Sequence, residues 1–252
     1  MIFRRALPLL LATPALAQTH LPLFVLGTGA TETPIEQVAH ALTARTGRAI
    51  RTETGNGGQV AARLRAGEAV DVVLNAGPAL DALIRDGFAL ADSRHEMGRM
   101  RLALAIRRGQ PAPQMRDDAE LGAVLRAAPS IGLSDGAAGA TSGRHVMALL
   151  DRLGVRPEAE GGPKRIAFAR GLTAVQAVAR GEVTLVITQA SEILAEPGTT
   201  LVAPLPETAQ LITPYVTAVA SRAADSEGAR AFIAFAAGEG AVMFRAAGFA
   251  VG

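Results

Sequence analysis

The sequence predicts an α/β protein with a mainly parallel sheet. Short apolar runs alternate with segments whose apolar residues recur at helical spacing, which is the pattern of strand–helix units. Loops of small residues follow five of the apolar runs, at 27–33, 55–58, 75–78, 134–143 and around Gln189. With 252 residues, 49% of them hydrophobic, the chain is long enough for one or two compact lobes.

The first third of the chain repeats one unit, a strand followed by a glycine-containing loop and a helix. The expected elements are a strand at 23–26, a helix from 35 to about 47, a strand at 49–54, a helix at 59–65, a strand at 70–74 and a helix at 79–84. Gly67 is a stop signal for the second helix, and Pro78 suits the first turn of the third.

The remaining two thirds continue with strands and helices at less regular spacing. We expect strands at 100–106, 131–133, 165–169, 183–189, 201–204 and 215–220, and helices at 120–127, from 144, 174–180, 229–236 and 240–247. In sheets of this kind, ligands bind at the carboxyl ends of the strands, where the loops gather. The five loops therefore predict a cleft lined by backbone N–H groups and hydroxyls.

The first residues have the pattern of a secretory signal peptide, which we place at 1–17. Arg4 and Arg5 precede an apolar run, and the small-x-small pattern at 15–17 marks a cleavage site. This segment holds two arginines and no acidic residue, so without it the formal charge of +2 falls to zero. Together with scattered arginines, this excludes a basic nucleic-acid surface. We expect a periplasmic protein without a membrane span.

The cysteine and histidine content limits the kinds of disulfide and metal site that the chain can contain. There are no cysteines, so an exported chain of this size depends on its core for stability, as bacterial periplasmic proteins do. The four histidines lie far apart and show no metal-ligand spacing. We expect no metal site and no organic cofactor.

The stretch 130–150 has the features of an anion-binding loop. A short strand leads into a run of small residues and then into a helix, and Gly136, Gly139 and Gly143 allow close backbone approach. Thr141 and Ser142 are placed to cap the helix. A helix N-terminus preceded by such a loop favours an anion. A tight, capped strand-to-helix turn without a ligand is the alternative.

Two enzyme motifs are incomplete. Gly27-Thr28-Gly29 follows a strand as in dinucleotide-binding folds, but Glu32 stands where the third glycine belongs. Residues 132–136 match the G-x-S-x-G pattern of α/β-hydrolases. The sole histidine after Ser134 is His145, in the helix that starts from the same loop, so no triad in the usual order can be drawn.

Four polar residues have both a binding and a structural interpretation. Arg144 could pair with a carboxylate and His145 could move a proton, or both could be solvated residues of a first helical turn. Tyr215 could line the cleft or pack in the core. Gln189 ends an apolar strand, and we expect its amide to face the cleft.

Four segments together carry a family resemblance. They are LFVLGTGATETPIEQVAHALTARTG, TGNGGQVAARLRAGEAVDVVLNAGPALDALIRDG, the loop and helix at 134–154, and VQAVARGEVTLVITQASEI. Their order and spacing resemble the type II periplasmic solute-binding proteins of the molybdate-binding-protein family, over nearly all of the chain after the signal. The resemblance implies a two-lobed α/β fold with mainly parallel sheets flanked by helices and two crossing strands as hinge.

The resemblance also implies where the lobes and hinge lie. Lobe I would be discontinuous, at 18–100 plus 220–252, and lobe II would be 101–219, including crossing strands near 100–107 and 214–221. The molybdate binders place a serine where this chain has Ala30, a second hydroxyl where it has Asn56-Gly57-Gly58, and a tyrosine where it has Gln189. These departures indicate a different ligand.

Details such as the SDGAAG loop and QASE resemble a branch that contains the periplasmic aconitate isomerase. The expected ligand-binding residues are Thr28, Gly29, Ala30, Thr31, Asn56, Gly57, Gly58, Asn75, Ser134, Thr141, Ser142, Gly143, Arg144, Thr173 and Gln189. If the chain is an enzyme, a 1,3-proton shift needs a base near the substrate, and the candidates are His145 and Asp135.

Two functions follow from the resemblance. The first is a monomeric periplasmic protein that captures a small anion, an oxyanion or a di- or tricarboxylate, for an inner-membrane ABC permease. The second is a cofactor-independent aconitate isomerase on the same scaffold. A base at the substrate's allylic carbon would distinguish the enzyme from the carrier, because function depends on the site rather than on the fold.

Overall fold

The computed structural model describes residues 21–251, and the expected signal peptide lies outside them. The strands are β1 (Leu23–Thr28), β2 (Ile50–Gly55), β3 (Val72–Ala76), β4 (His95–Arg107), β5 (Ser130–Ser134), β6 (Lys164–Phe168), β7 (Leu185–Gln189), β8 (Thr199–Pro204) and β9 (Ile212–Val219). The helices are α1 (Glu32–Thr46), α2 (Gly57–Arg65), α3 (Gly77–Arg85), α4 (Asp118–Ala127), α5 (Thr141–Arg152), α6 (Gly171–Ala179), α7 (Ala190–Leu194), α8 (Ser226–Ala237) and α9 (Ala241–Ala246).

The strands form a mixed sheet with two sections that share β4. The order is β2-β1-β3-β9-β4-β7-β5-β6, and β8 also pairs with β4. β4 pairs with β9 through residues 95–101, and with β7 and β8 through residues 102–107. We call β2-β1-β3-β9 with the first part of β4 the first sheet section, and the remainder the second sheet section. Within each section the strand–helix units pair in parallel, whereas every antiparallel ladder involves β4 or β9.

Both sections are covered by helices on two faces. In the first section, one apolar cluster joins the sheet to α1, α8 and α9, and another joins it to α2 and α3. In the second, one cluster includes α4 and α5, and the other includes α6 and α7. Strand side chains such as Val25, Val73 and Ile187 are fully buried, and each such burial contributes roughly 1.5–3 kcal/mol. The division into lobes at residues 100 and 220 stays a prediction.

Helices α2, α3 and α7 begin almost directly at the ends of β2, β3 and β7, so the loops expected there are short junctions, whereas six residues separate β5 from α5. Gly29–Thr31 forms one turn of 3₁₀ helix between β1 and α1, and Asn75 and Ala76 belong to β3 rather than to a loop. Asn56 caps α2, because its side chain accepts from the Gln59 N–H at 2.9 Å while the Gln59 side chain accepts from the Asn56 N–H at 2.9 Å.

Several features differ from the sequence-based expectation, among them the start of one strand, one additional helix and one helix cap. β4 begins at His95 rather than at 100, because its polar first residues pair with β9 at an exposed part of the sheet. The short helix α7 lies where no helix was expected. The expectation that Thr141 and Ser142 cap α5 is wrong, since both lie in its first turn and the N-cap is Ala140, which makes no side-chain hydrogen bond.

Candidate functional site

A cavity of about 40 Å³ is lined by residues of both sheet sections. By the same measure, one water molecule needs about 10–15 Å³, so the space suits a small solute rather than a dinucleotide or a peptide. The first wall consists of Thr28, Gly29, Ala30, Gly55, Asn56, Gly57, Asn75, Ala76 and Tyr215. The second wall consists of Ser134, Ala140, Thr141, Ser142, Arg170, Gly171, Gln189 and Glu192.

Three helix N-termini meet at this cavity. α2 begins at Gly57, α5 at Thr141 and α6 at Gly171, and all three residues line it. The first N–H groups of a helix have no partner within the helix, and the helix dipole places partial positive charge there. The parallel strands of the two sections therefore bring several backbone donors to one place, as the loop pattern of the sequence predicts.

The amide side chains of the first wall hold the backbone in place. The Asn75 Nδ2 donates to the Gly57 carbonyl at 3.0 Å, and its Oδ1 accepts from the Ala76 N–H at 2.8 Å. The Asn56 Nδ2 donates across to the Ala169 carbonyl at 3.5 Å. Asn56 and Asn75 thus orient backbone groups more than they offer free donors.

Two buried polar atoms at the cavity, Gln189 Oε1 and Arg170 Nε, have no hydrogen-bond partner. Thr28 Oγ1 is buried beside the Tyr215 phenol, which is close enough to interact with it. Thr28 is 6% exposed and Gln189 3% exposed, and Gln189 keeps a long contact of 3.4 Å from its Nε2 to Thr213 Oγ1. An unpaired buried polar atom costs on the order of 1–3 kcal/mol, so these atoms indicate where a polar solute would bind.

Arg170 bridges the two sheet sections beside the cavity. Its guanidinium pairs with the Glu32 carboxylate and donates to Thr54 Oγ1 at 2.7 Å. Glu32 belongs to α1 and Thr54 to β2, whereas Arg170 lies between β6 and α6. The bridge therefore holds the two walls together and brings a positive charge to the cavity, although Glu32 neutralises part of it.

Glu192 is a buried carboxylate in the second wall, with 6% of its surface exposed. Thr188 Oγ1 donates to its Oε2 at 2.5 Å. Gly29 and Gly171 make room for it, since a Cβ at Gly29 would lie 2.8 Å from Oε1 and one at Gly171 would lie 1.9 Å from Oε2. Both positions therefore need glycine, because any larger residue would displace this carboxylate.

Burial raises the pKa of Glu192 above its usual range. The hydrogen bond from Thr188, the charge of Arg170 and the backbone N–H groups of Gln189 and Leu172 act in the opposite direction without cancelling the effect. Tyr215 faces the same space, and burial followed by the charge of Glu192 raises the pKa of its phenol. The cavity thus holds a carboxyl group and a phenol whose pKa values are both raised by burial.

Hydroxyl groups connect Glu192 with the start of α5. Ser142 Oγ lies 3.4 Å from Ser134 Oγ, which lies 3.5 Å from Thr188 Oγ1, the donor to Glu192. Ser134 and Ser142 line the cavity, so this chain of hydroxyls runs along the second wall.

The structure brings most of the residues expected from the sequence to this cavity. Those that line it are Thr28, Gly29, Ala30, Asn56, Gly57, Asn75, Ser134, Thr141, Ser142 and Gln189. Those that do not are Thr31, Gly58, Gly143, Arg144 and Thr173, together with the two candidate bases Asp135 and His145.

Three of the residues outside the cavity have structural roles. Thr31 is fully buried, and its hydroxyl donates to the Thr28 carbonyl at 2.9 Å. Gly143 lets α5 pack against β5, because a Cβ there would lie 1.9 Å from the Ser134 carbonyl oxygen. Gly58 lies against the loop of the other section, where a Cβ would meet the Ala138 carbonyl oxygen at 2.6 Å.

The remaining four residues are exposed or form hydrogen bonds outside the cavity. Arg144 and Thr173 are exposed on the first turns of α5 and α6. The Asp135 carboxylate accepts from the Ala137 and Ala138 N–H groups at 2.9 and 3.2 Å, which shapes the loop. The His145 Nε2 lies 2.8 Å from the Ala209 carbonyl oxygen. Asp135 and His145 therefore lie outside the lining of the cavity, and their role as candidate bases stays a prediction.

Sequence reasoning did not select Arg170, Gly171 or Glu192, and it left Tyr215 open. One signal for Glu192 was present: it follows Gln189, the last residue of an apolar strand, by three positions, which is the spacing of an acidic residue in a helix's first turn. Arg170 stands at a strand end immediately before a glycine, and nothing in its local pattern separates it from the many surface arginines.

Among residues 21–251, no helix is long and apolar enough to cross a membrane. The same residues contain no group of three or more His, Cys, Asp or Glu side chains placed to hold a metal ion.

Comparison with known proteins gives a family and a fold. Residues 23–250 match the family described as bacterial extracellular solute-binding protein. A relative from Pseudomonas sp., named aconitate isomerase, is 34% identical over 242 residues, which cover 92% of this chain and 89% of that protein.

Two solved structures have the same fold at low identity. The periplasmic molybdate-binding protein of Azotobacter vinelandii has a TM-score of 0.74 and 20% identity, covering 91% of this chain and 99% of that one. The sulfate-binding protein SubI of Mycobacterium tuberculosis H37Rv has a TM-score of 0.71 and 17% identity, covering 91% and 86%. The similarity confirms the expected periplasmic-binding-protein fold class. With its sheet sections, its cavity between two walls and a family match over residues 23–250, this chain belongs to the bacterial extracellular solute-binding proteins.

Proposed function

We propose that this protein captures a small anion, an oxyanion or a di- or tricarboxylate, in the cavity between the two walls. The observation that carries the proposal is the meeting of three helix N-termini and Arg170 around buried polar atoms that lack partners. Backbone N–H groups bind an anion without supplying a nucleophile, which suits capture and release. The names of the molybdate- and sulfate-binding structures support an anionic solute.

The charges at the cavity favour a small anion over a cation. Arg170 is the cationic side chain in the lining, and the partial positive charges of α2, α5 and α6 add to it. Glu192 would oppose an anion if it were ionised, and burial raises its pKa, which makes a shared or retained proton easier to hold.

The export pattern at 1–17 and the family membership support a periplasmic location for the chain. In that compartment the captured anion would pass to an inner-membrane ABC permease. The predicted monomer, with two lobes divided near residues 100 and 220, suits that role.

A thermal-unfolding screen tests the proposal. The probes are molybdate, tungstate, sulfate, phosphate, citrate and both aconitate isomers, each added to the protein without residues 1–17. A solute at about 100 times its dissociation constant adds roughly 2.7 kcal/mol to the free energy of unfolding. We expect at least one anion to raise the unfolding midpoint and neutral or cationic solutes to leave it unchanged. If none of the anions raises it, the proposal is wrong.

A second candidate function is cofactor-independent isomerisation of aconitate. The relative named aconitate isomerase supports it, and so does a carboxyl group in the cavity wall. A 1,3-shift removes a proton from the methylene carbon, moves the double bond and returns a proton to the former vinyl carbon. Atoms and charge balance without any co-reactant, and one base with a pKa near neutrality is enough.

Following cis-aconitate by proton NMR separates the two functions. A carrier would bind cis-aconitate and leave it unchanged over hours, whereas an isomerase would form trans-aconitate at a rate proportional to protein concentration. The Arg170→Ala variant, which removes the cationic side chain of the cavity, is the matched negative control. Conversion that survives in this variant would come from a contaminant or from another site.

A further inference from the structure

We propose that Glu192 and the bound anion share one proton, so that the protein takes up a proton when it binds an unprotonated anion. The inference rests on the proposed function, since it concerns how the same cavity holds its solute. It identifies Glu192 as a specificity-determining residue, which neither the sequence pattern nor the family membership assigns.

The position of Glu192 in the cavity wall is the first reason to expect a shared proton. Its carboxyl lines a cavity of about 40 Å³, so a solute in that cavity lies next to it. A carboxylate and an anion at about 4 Å repel each other by roughly 4 kcal/mol at an effective dielectric constant of 20. A proton between them replaces that repulsion by a hydrogen bond.

The surroundings of Glu192 supply the second argument. The charged and titratable groups that face it are Arg170, whose guanidinium is already paired with Glu32, and Tyr215, which is neutral when protonated. The nearest side-chain donor is Thr188, which bonds Oε2. The cavity therefore offers one partly neutralised cation for two acidic groups, Glu192 and the anion, once a solute is bound.

The glycines around the carboxyl supply the third argument. A Cβ at Gly29 or at Gly171 would collide with Glu192, so both positions leave room for this side chain in the wall. If the Glu192 carboxyl only capped α7, it would not need the space beside Gly29, which follows β1. Burial also raises the pKa of Glu192, which is the direction that proton retention requires.

A shared proton makes the affinity for an anion depend on the protonation state of the anion and of Glu192. An anion that carries its own proton can bind with Glu192 ionised, whereas a fully deprotonated anion binds only with Glu192 protonated. Affinity for sulfate, which does not titrate between pH 6 and 9, should fall as pH rises. The decline approaches about tenfold per pH unit above the pKa of Glu192, as linkage of one proton requires.

The test measures binding by titration calorimetry with sulfate, citrate and trans-aconitate at pH 6 to 9. At each pH it uses two buffers of different ionisation enthalpy, and their difference gives the protons taken up per anion bound. We expect net uptake approaching one proton for the wild type at the alkaline end of the range. For Glu192→Gln, whose amide can donate as a protonated carboxyl does, we expect sulfate to bind with no proton uptake and no decline in affinity with pH.

Glu227→Gln is the matched control, because Glu227 is exposed on α8 and should leave uptake unchanged. Binding with neither proton uptake nor pH dependence in the wild type would overturn the inference while leaving the proposed function intact. Failure of these three anions and of every other anion in the thermal-unfolding screen to bind would overturn both. If Glu192→Gln does not fold, the wild-type measurement alone still decides.

Discussion

The two walls of the cavity differ in how they carry charge. The first wall has no ionised side chain, and it offers Thr28, two asparagines that fix the backbone, and the neutral phenol of Tyr215. The second wall holds Arg170 and Glu192, together with the hydroxyls of Ser134 and Ser142. The first wall therefore sets the shape of the cavity, whereas the second wall carries its charged and titratable side chains. Substitutions in the two walls should differ in size of effect and in their dependence on pH.

Removing the cation of the second wall should have the largest effect. We expect Arg170→Ala to weaken anion binding roughly 10- to 100-fold, because a hydrogen bond to a charged group contributes about 1.5–3 kcal/mol. Titration calorimetry with the anion that binds best in the screen measures this. Arg144→Ala is the control, since Arg144 is exposed and outside the cavity. An equal loss in both variants would contradict the assignment of Arg170.

Changing the distance between the walls should have the next largest effect. In Gly58→Ala, the new methyl group would meet the Ala138 carbonyl oxygen at 2.6 Å, so the walls must move apart. We expect a loss of affinity on the order of tenfold, as one or two hydrogen bonds lengthen. Gly122→Ala, also within a helix, is the control, because its methyl group would meet only the end of the Arg126 side chain. Unchanged affinity in Gly58→Ala would show that the walls tolerate the added methyl.

A neutral group of the first wall should matter less. We expect Thr28→Val to weaken binding about three- to tenfold, since it removes one neutral hydrogen bond of about 0.5–1.5 kcal/mol and keeps the shape. Thr173→Val is the matched control on an exposed helical turn. The affinity of Thr28→Val should keep the pH dependence of the wild type, because that dependence belongs to the second wall.

The smallest expected effect is on the stability of the protein without ligand. A raised pKa means that folded Glu192 holds its proton more tightly than unfolded Glu192 does. This contribution to stability is fully present below the pKa of the unfolded state, near the ordinary glutamate value of 4.5, and is lost as pH rises through the folded pKa. Thermal unfolding should show a decline over that window that Glu192→Gln lacks. If stability depends on pH identically in both proteins, the ionisation of Glu192 does not contribute to that dependence.

The fold could be predicted because the sequence patterns that indicate its strands and helices are local. Apolar spacing marks β1, β3 and β7, and Gly47, with a φ of 73°, ends α1 where the sequence indicates. The sequence placed the backbone donors of the site for the same reason, since strand ends such as Thr28 and Ser134 gather at one edge.

The charged part of the site was not open to prediction, because it depends on contacts far apart in the chain. Arg170 reaches Glu32 across 138 residues, and no local pattern records that pairing. The sequence instead offered Arg144 and His145 as candidates, because they follow a glycine-rich loop, but neither residue lines the cavity. Local spacing predicts where backbone groups lie, whereas the direction of a long side chain depends on tertiary packing.

Gly58 and Gly139 are in close contact where the two sheet sections meet. A Cβ at Gly139 would lie 2.7 Å from the Gly58 Cα, so these two residues set how closely the sections approach at that edge. Neither residue lines the cavity, yet their size sets its width. A single methyl group here would widen the compartment without altering any group that contacts the solute. On the proposed function, we therefore expect solute size and solute chemistry to depend on separate positions, so that a substitution could change one while preserving the other.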